Sequence, residues 1–310
     1  MSNPSGLSAK SVSEAILLLP GWIRILRPTN LSMVFTGCIV GGFLVHGAYL
    51  VSGDLLIRTS IAGLAAAMLA ASGNIVNDLF DISVDQINRA DRALPSGTLS
   101  IRTARILGGS LTLIAFGTAL LVSPTHFIVA FVLWCLLFLY NWQLKTVPFL
   151  GNVIVGFLVA GSISYGALID STAAGGGAEL KNLLNTNVLV AFGFAFFLTV
   201  TRELVKDIAD IGGDRAYDIH TLPVRIGLPG SLSLIRVLVS GVLALSPLPY
   251  LIWGFSGLYL VTLLPVMALL VRVLMLLSGS SSDLILAGSH LKWAMAFGLF
   301  SLGASSIWPV

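Results

Sequence analysis

The run LLIRTSIAGLAAAMLAASGNIV (residues 55–76), followed at once by NDLFDISVD (residues 77–85), decides how this chain is read. The first part is long enough to cross a bilayer core, which takes roughly 20 apolar residues in a helix. The second part breaks the apolar run with an amide and three aspartates. The rest of the chain agrees with the first part. Its 310 residues are 56% hydrophobic and only 10% charged, and the mean hydropathy is +0.96. A soluble domain carries about 25% charged residues, so this composition cannot cover a water-facing surface. The net charge of +3 reflects a few extra Lys and Arg on one membrane face, and it implies no nucleic acid partner.

Outward from this stretch, apolar runs at 31–51, 55–76, 106–122, 127–141, 150–168, 188–201, 232–253, 258–277 and 293–308 predict nine spans. The fourth and sixth are short and are expected to run a turn further. Residues 12–27 mix apolar side chains with Trp22, Arg24 and Arg27, the pattern of an interfacial helix. With the N-terminus in the cytoplasm, only Arg58 and Lys181 of the 17 Lys and Arg fall outside. That asymmetry follows the positive-inside rule and fixes the span count, because one missed helix would scramble every later loop. Residues 1–10 are polar and the first apolar run leads into further spans, so no cleaved signal peptide is expected. Gly175–Gly177 reads as a flexible outer linker. Cys38 and Cys135 lie inside apolar runs and read as small buried hydrophobes. The four His are scattered without ligand spacing, so no zinc is expected. Gly63, Gly73 and Gly156 are read as sites of close helix packing.

The acidic stretch has a second copy. KDIADIGGD (residues 206–214) follows the sixth span and aligns without a gap on NDLFDISVD. Lys206 then lies over Asn77, Asp207 over Asp78, Asp210 over Asp81 and Asp214 over Asp85. This implies one membrane domain, residues 1–310, with duplicated halves of about 28–145 and 150–310. If each span continues as a helix, Asp81 and Asp85 share a face, as do Asp210 and Asp214, at about 5–6 Å. Like charges that close need a cation. Mg²⁺ suits them, since it takes hard oxygen ligands and commonly joins carboxylates to phosphates. A transporter can also use intramembrane carboxylates, but these stand at span ends while the span centres carry almost no charge. A noncatalytic lipid-binding protein is the other alternative, and it would tolerate loss of the aspartates.

These motifs resemble the UbiA superfamily of intramembrane prenyltransferases. NDLFDISVD is similar to that family's first motif, and Asp210 with Asp214 to its second, DxxxD. NRADRALPSG (residues 88–97) looks like the family's connector, and RPTN (residues 27–30) like its entry to the first helix. Tyr140 and Lys145 depart from the family pattern, standing five residues apart where four is usual. The resemblance implies an all-α polytopic fold of about nine helices around a central cavity with a cytoplasmic cap. It also implies a multi-pass protein of the cell membrane with its active-site loops in the cytoplasm.

The activity implied is Mg²⁺-dependent transfer of a prenyl group from its diphosphate. Asn77, Asp81, Asp85, Asp210 and Asp214 would hold Mg²⁺ or the Mg-bound diphosphate. Asp78 and Asp207 would assist or face solvent. Lys206, Arg92 and Lys145 would contact phosphate directly, Tyr140 would face the carbocation or bond the diphosphate, and Arg27 would join the substrate set. Glu203 is open as a base or as a structural partner of Arg202 or Lys206. Arg89, Arg102 and Arg105 are read as topology signals, and Arg236 and Arg272 as snorkelling groups.

Within the superfamily, TRELVKDIADIGGD (residues 201–214), TLPVRIG (residues 221–227) and SPLPY (residues 246–250) resemble geranylgeranylglyceryl phosphate geranylgeranyltransferases. The acceptor implied is a glycerol phosphate ether lipid, for whose head group Arg202, Arg215 and Arg225 are nearby cations. Trp142 beside Tyr140 keeps an aromatic acceptor open.

Overall fold

In lipid, each backbone amide must find its partner within the chain, and a long uninterrupted helix meets that demand. The structure, a computed structural model, describes residues 19–170, 178–217, 219–277 and 280–307. Among the described residues, nine segments are helical, long and apolar enough to cross a membrane, and no strand occurs. The principal helices are α1 (Pro28–His46), α2 (Leu55–Phe80), a short α3 (Ile82–Asn88), α4 (Ile101–Val122), α5 (Pro124–Trp142), α6 (Leu150–Ala167), α7 (Thr186–Ala216), α8 (Leu222–Leu245), α9 (Gly257–Leu276) and α10 (Ser281–Ile307).

Helix starts follow local chemistry. Pro124 stands at the head of α5, where a missing N–H costs nothing, and the Ser123 hydroxyl caps it by accepting from His126 N–H. Ser100 caps α4 in the same way, accepting from Thr103 N–H. Pro28 opens α1, but the preceding Arg27 sits at φ +56°, a left-handed conformation uncommon for a side-chain-bearing residue.

Three elements differ from expectation. The sixth span runs well beyond the one extra turn expected past residue 201. Its helix, α7, runs 31 residues to Ala216, roughly 46 Å, longer than the ~30 Å hydrocarbon core. Its polar end therefore stands beyond the apolar zone while still helical. The second span breaks at Asp81 (φ −99°, ψ 7°) and resumes as α3. The seventh segment begins at Leu222 instead of 232, with a kink at Gly227 (φ +75°), and closes in a separate turn, Leu248–Ile252. Of the expected interfacial helix, residues 12–18 lie outside the described residues; the described part is a single turn, Gly21–Arg24, with Trp22 exposed. The glycine run at 175–177 and Trp308 also lie outside them.

The helices close into a ring. α1 packs on α2, α6 and α10, α7 on α6, α8 and α10, and the pairs α2–α4, α4–α5, α5–α6, α8–α9 and α9–α10 complete it. α1 and α6 meet at near-backbone distance, since a Cβ on Gly41 would collide with the Ile163 carbonyl and one on Gly166 with that of Cys38. Gly63, Gly73 and Gly156 are close-packed as expected, against Phe35, Leu137 and Val200. Large apolar side chains such as Leu113 and Leu121 point outward on α4, the orientation a lipid solvent favours. Cys135 is exposed, a correction to its reading as a buried hydrophobe, while Cys38 is buried. A small apolar cluster of Ile25, Ile75, Ala93, Leu94, Leu99 and Ala104 pins the segment between α3 and α4 over one end of the ring.

Candidate active site

The polar ends of α2 and α7 meet through α3. Asn88, the last residue of α3, donates from Nδ2 to the Asp210 carbonyl (3.1 Å) and accepts from Gly213 N–H (2.9 Å). Arg89 donates from Nη2 to both carboxylate oxygens of Asp210 at 3.0 Å. Arg89, read as a topology signal, is thus also an ion-pair partner of the second cluster. Two segments 121 residues apart in sequence are thereby held together.

Each aspartate of the first cluster holds a cation. Asp85 accepts from Arg92 Nη1 at 2.5 Å, Asp81 is ion-paired with Lys145, and Asp78 with Arg27 and Arg92. Burial pushes the Asp85 carboxyl up, and Arg92 pulls it back without cancelling the rise. Burial acts to lower the Arg92 guanidinium, but Asp78 and Asp85 outweigh it and the net shift is upward. Asn77 donates from Nδ2 to Asp81 (3.0 Å) and to Asn141 Oδ1 (2.9 Å). In the second cluster Asp214 accepts from the Thr221 hydroxyl at 3.0 Å, and Asp207 accepts from Asn152 Nδ2 at 2.6 Å.

Asp78 is thus buried under two arginines and Asp207 is tied to an amide, so neither fits a solvent-facing role. Lys206 donates to Glu203 at 3.3 Å and Arg202 to the other carboxylate oxygen at 3.0 Å, so Glu203 has both structural partners while it lines the cavity. Lys145 lies in the turn Leu144–Thr146 after α5, and its ammonium stands 5.6 Å from the Phe80 ring centre. Asn141 and Asn152 were not singled out from the sequence. The available signal was an amide inside an apolar run, which is costly in lipid unless bonded.

Beside these clusters lies a cavity of about 540 Å³. Its deep wall is apolar, with Met33, Leu69, Leu137 and Leu158. Its mouth carries Arg24, Arg27, Arg89, Arg92, Arg202, Lys206 and Lys292, with Asn77 and Tyr140 between. Among the described residues, Glu203 is the one carboxylate on that wall. The clustered aspartates stand behind it and set the positions of the arginines. Of the cations expected near a lipid head group, Arg202 lines the cavity, whereas Arg215 and Arg225 are exposed and do not. The groups that could hold a hard cation are Asp81, Asp85, Asp210 and Asp214, all oxygen donors. No three of the described acidic, His or Cys residues already converge on one point.

An all-helical ring that encloses an apolar pocket with a cationic mouth defines a multi-pass membrane protein built to take an anionic head on an apolar tail. The model of the UbiA prenyltransferase family matches residues 32–304. The chain is 34% identical over 284 residues to the digeranylgeranylglyceryl phosphate synthase of Methanopyrus kandleri, covering 92% of this chain and 98% of that protein. Its fold is similar to that of a UbiA homolog from Aeropyrum pernix (TM-score 0.73, 18% identity, 89% of this chain and 98% of that one). It is also similar to a UbiA homolog from Archaeoglobus fulgidus bound to GPP and Mg²⁺ (TM-score 0.63, 17% identity, 91% and 99%). The chain belongs to the UbiA prenyltransferase family and is a membrane prenyltransferase.

Proposed function

We propose that this enzyme transfers a geranylgeranyl group from its diphosphate to the hydroxyl of geranylgeranylglyceryl phosphate, in ether-lipid synthesis, with Mg²⁺ on the aspartate clusters. The observation that carries the reading is the cavity itself, an apolar pocket lined, among the described residues, by seven Lys and Arg against a single carboxylate. Relatives named digeranylgeranylglyceryl phosphate synthase, matched over 98% and 82% of their length, support the acceptor.

The donor set fits the metal. Asp81, Asp85, Asp210 and Asp214 offer only hard oxygen atoms, and three of them already balance their charge with Lys145, Arg92 and Arg89. These four would hold Mg²⁺. When bound, it would supply positive charge to the leaving diphosphate. The chain's own groups do the rest. Arg89, Arg92 and Lys206 stand at the mouth, where guanidinium groups can fork onto phosphate oxygens and Lys acts as a point charge. The Asn77 amide, held by Asp81 and Asn141, orients that wall. The apolar floor excludes water from the allylic carbon as its C–O bond to diphosphate breaks. The acceptor oxygen then forms the new ether bond, and its proton passes to Glu203 or to the departing diphosphate. Tyr140, on the wall between head and tail, faces the carbon that bears developing positive charge. The acid-bearing ends are assigned to the cytoplasmic face of the cell membrane, where the charge asymmetry of the loops puts them.

An aromatic acceptor is the second reading, kept open by Trp142 two residues from Tyr140 in the chain, although Trp142 is exposed and does not line the cavity. A competition assay separates the two. Purified enzyme, Mg²⁺ and labelled geranylgeranyl diphosphate are mixed with equal geranylgeranylglyceryl phosphate and hydroxybenzoate, naphthoate or homogentisate. Label on the ether lipid is expected. Label on an aromatic ring alone would overturn the acceptor assignment.

A further inference from the structure

The cations of the cavity mouth differ in how they are neutralised. Arg27, Arg89 and Arg92 each hold an aspartate of the clusters. Arg202 and Lys206 divide the one carboxylate of Glu203. Arg24 donates to the Asp91 carbonyl (3.2 Å) and the Thr98 hydroxyl (2.8 Å), away from α10, and Lys292 likewise pairs with no carboxylate among the described residues. Its ammonium donates to the Thr29 hydroxyl at 2.5 Å, joining α10 to the first turn of α1, and its charged neighbour is Arg202, another cation. Lys292 is half-buried on a span-length helix and lines the cavity. An ammonium taken partly out of water beside a second cation is unfavourable unless an anion arrives. The diphosphate is already provided for by Arg89, Arg92 and the aspartate clusters. The Lys292 side of the mouth, formed by α1, α7 and α10, is left with charge to spare.

We propose that Lys292, Arg202 and the Thr29 hydroxyl form a second anion subsite, which holds the phosphomonoester head of the lipid acceptor. This rests on the reading of the acceptor as a glycerol phosphate ether lipid, and it names the groups that select it. A phosphomonoester is dianionic or nearly so near neutral pH and offers three acceptor oxygens. An ammonium, a guanidinium and a hydroxyl together match that set. Arg202 adjoins Glu203 in the chain, so a head group held there brings the glycerol hydroxyl toward the cavity's one carboxylate.

The test uses full-length enzyme in detergent with geranylgeranyl diphosphate and two acceptors, geranylgeranylglyceryl phosphate and the uncharged geranylgeranylglycerol. Lys292→Met keeps the apolar stem and removes the charge. It is expected to raise the KM for the phosphorylated acceptor on the order of 10–100-fold, the scale of one hydrogen bond to a charged group. The donor KM and turnover of the uncharged acceptor should stay within about twofold on the same reasoning, and Lys292→Arg should recover most of the loss. Thr29→Val, a milder change, should raise the same KM several-fold and serves if Lys292→Met does not insert. An unchanged acceptor KM, or an equal rise in donor KM, overturns the subsite while leaving the proposed reaction intact. Wild-type enzyme inactive on geranylgeranylglyceryl phosphate would instead overturn the proposed function.

Discussion

Arg89 grips Asp210 through both carboxylate oxygens at 3.0 Å, and this contact ties the end of α3 to α7 across 121 residues of sequence. Arg89 also lines the cavity. It is therefore proposed to act on both sides, neutralising an aspartate proposed to hold metal and presenting a donor to the diphosphate. Arg89→Ala is expected to lower turnover about 100-fold, the usual scale for removing one electrostatic stabiliser. Arg102, exposed and away from the cavity, is the control. Steady-state rates that fall equally in Arg89→Ala and Arg102→Ala would return Arg89 to a topological role.

The carboxylates proposed to hold Mg²⁺ should behave as a set. Asn substituted singly at Asp81, Asp85, Asp210 or Asp214 is expected to cut turnover by about 10²–10³ without loss of insertion, as judged by size-exclusion profile. Near wild-type rates in two of the four variants would show that the metal is held elsewhere.

Asp78 should fail differently. It is 2% exposed and ion-paired with Arg27 and Arg92, so its removal strands buried positive charge. Breaking a buried pair in this way costs about 3–5 kcal/mol. Asp78→Ala should therefore lower the thermal transition in detergent well below that of Asp81→Asn. Equal transitions would mean that Asp78 contributes no more to the fold than its partly exposed neighbour.

Orientation can be read by labelling. Ser96 and Ser52 are exposed at opposite ends of the bundle, one between α3 and α4 and the other between α1 and α2. In a background with Cys135 replaced, a membrane-impermeant thiol reagent on intact cells should label Ser52→Cys and spare Ser96→Cys. The reverse pattern would invert the proposed topology.

The spans were legible because lipid leaves the backbone no alternative to helix, and hydropathy reports where lipid begins and ends. For the same reason it misplaced the end of α7, whose polar last turns leave the apolar zone but keep their helical hydrogen bonds. The paired aspartates were legible from their repeated four-residue spacing. The break at Asp81 was not, because no Gly or Pro marks it. Neither was the burial of Asp78 nor the pairing of Asp207, since their partners Arg27 and Asn152 lie 51 and 55 residues away. Arg89 looked like any other arginine of an inner loop, and only the meeting of α3 with α7 set it on Asp210.

The most direct test of the account is product formation by purified enzyme supplied with geranylgeranyl diphosphate and geranylgeranylglyceryl phosphate, measured with excess Mg²⁺ and again with excess chelator. The doubly prenylated ether lipid and free diphosphate are expected with Mg²⁺, and neither when the metal is removed. Equal product under both conditions would contradict a metal held on the two aspartate clusters, and no product under either would contradict the proposed reaction itself.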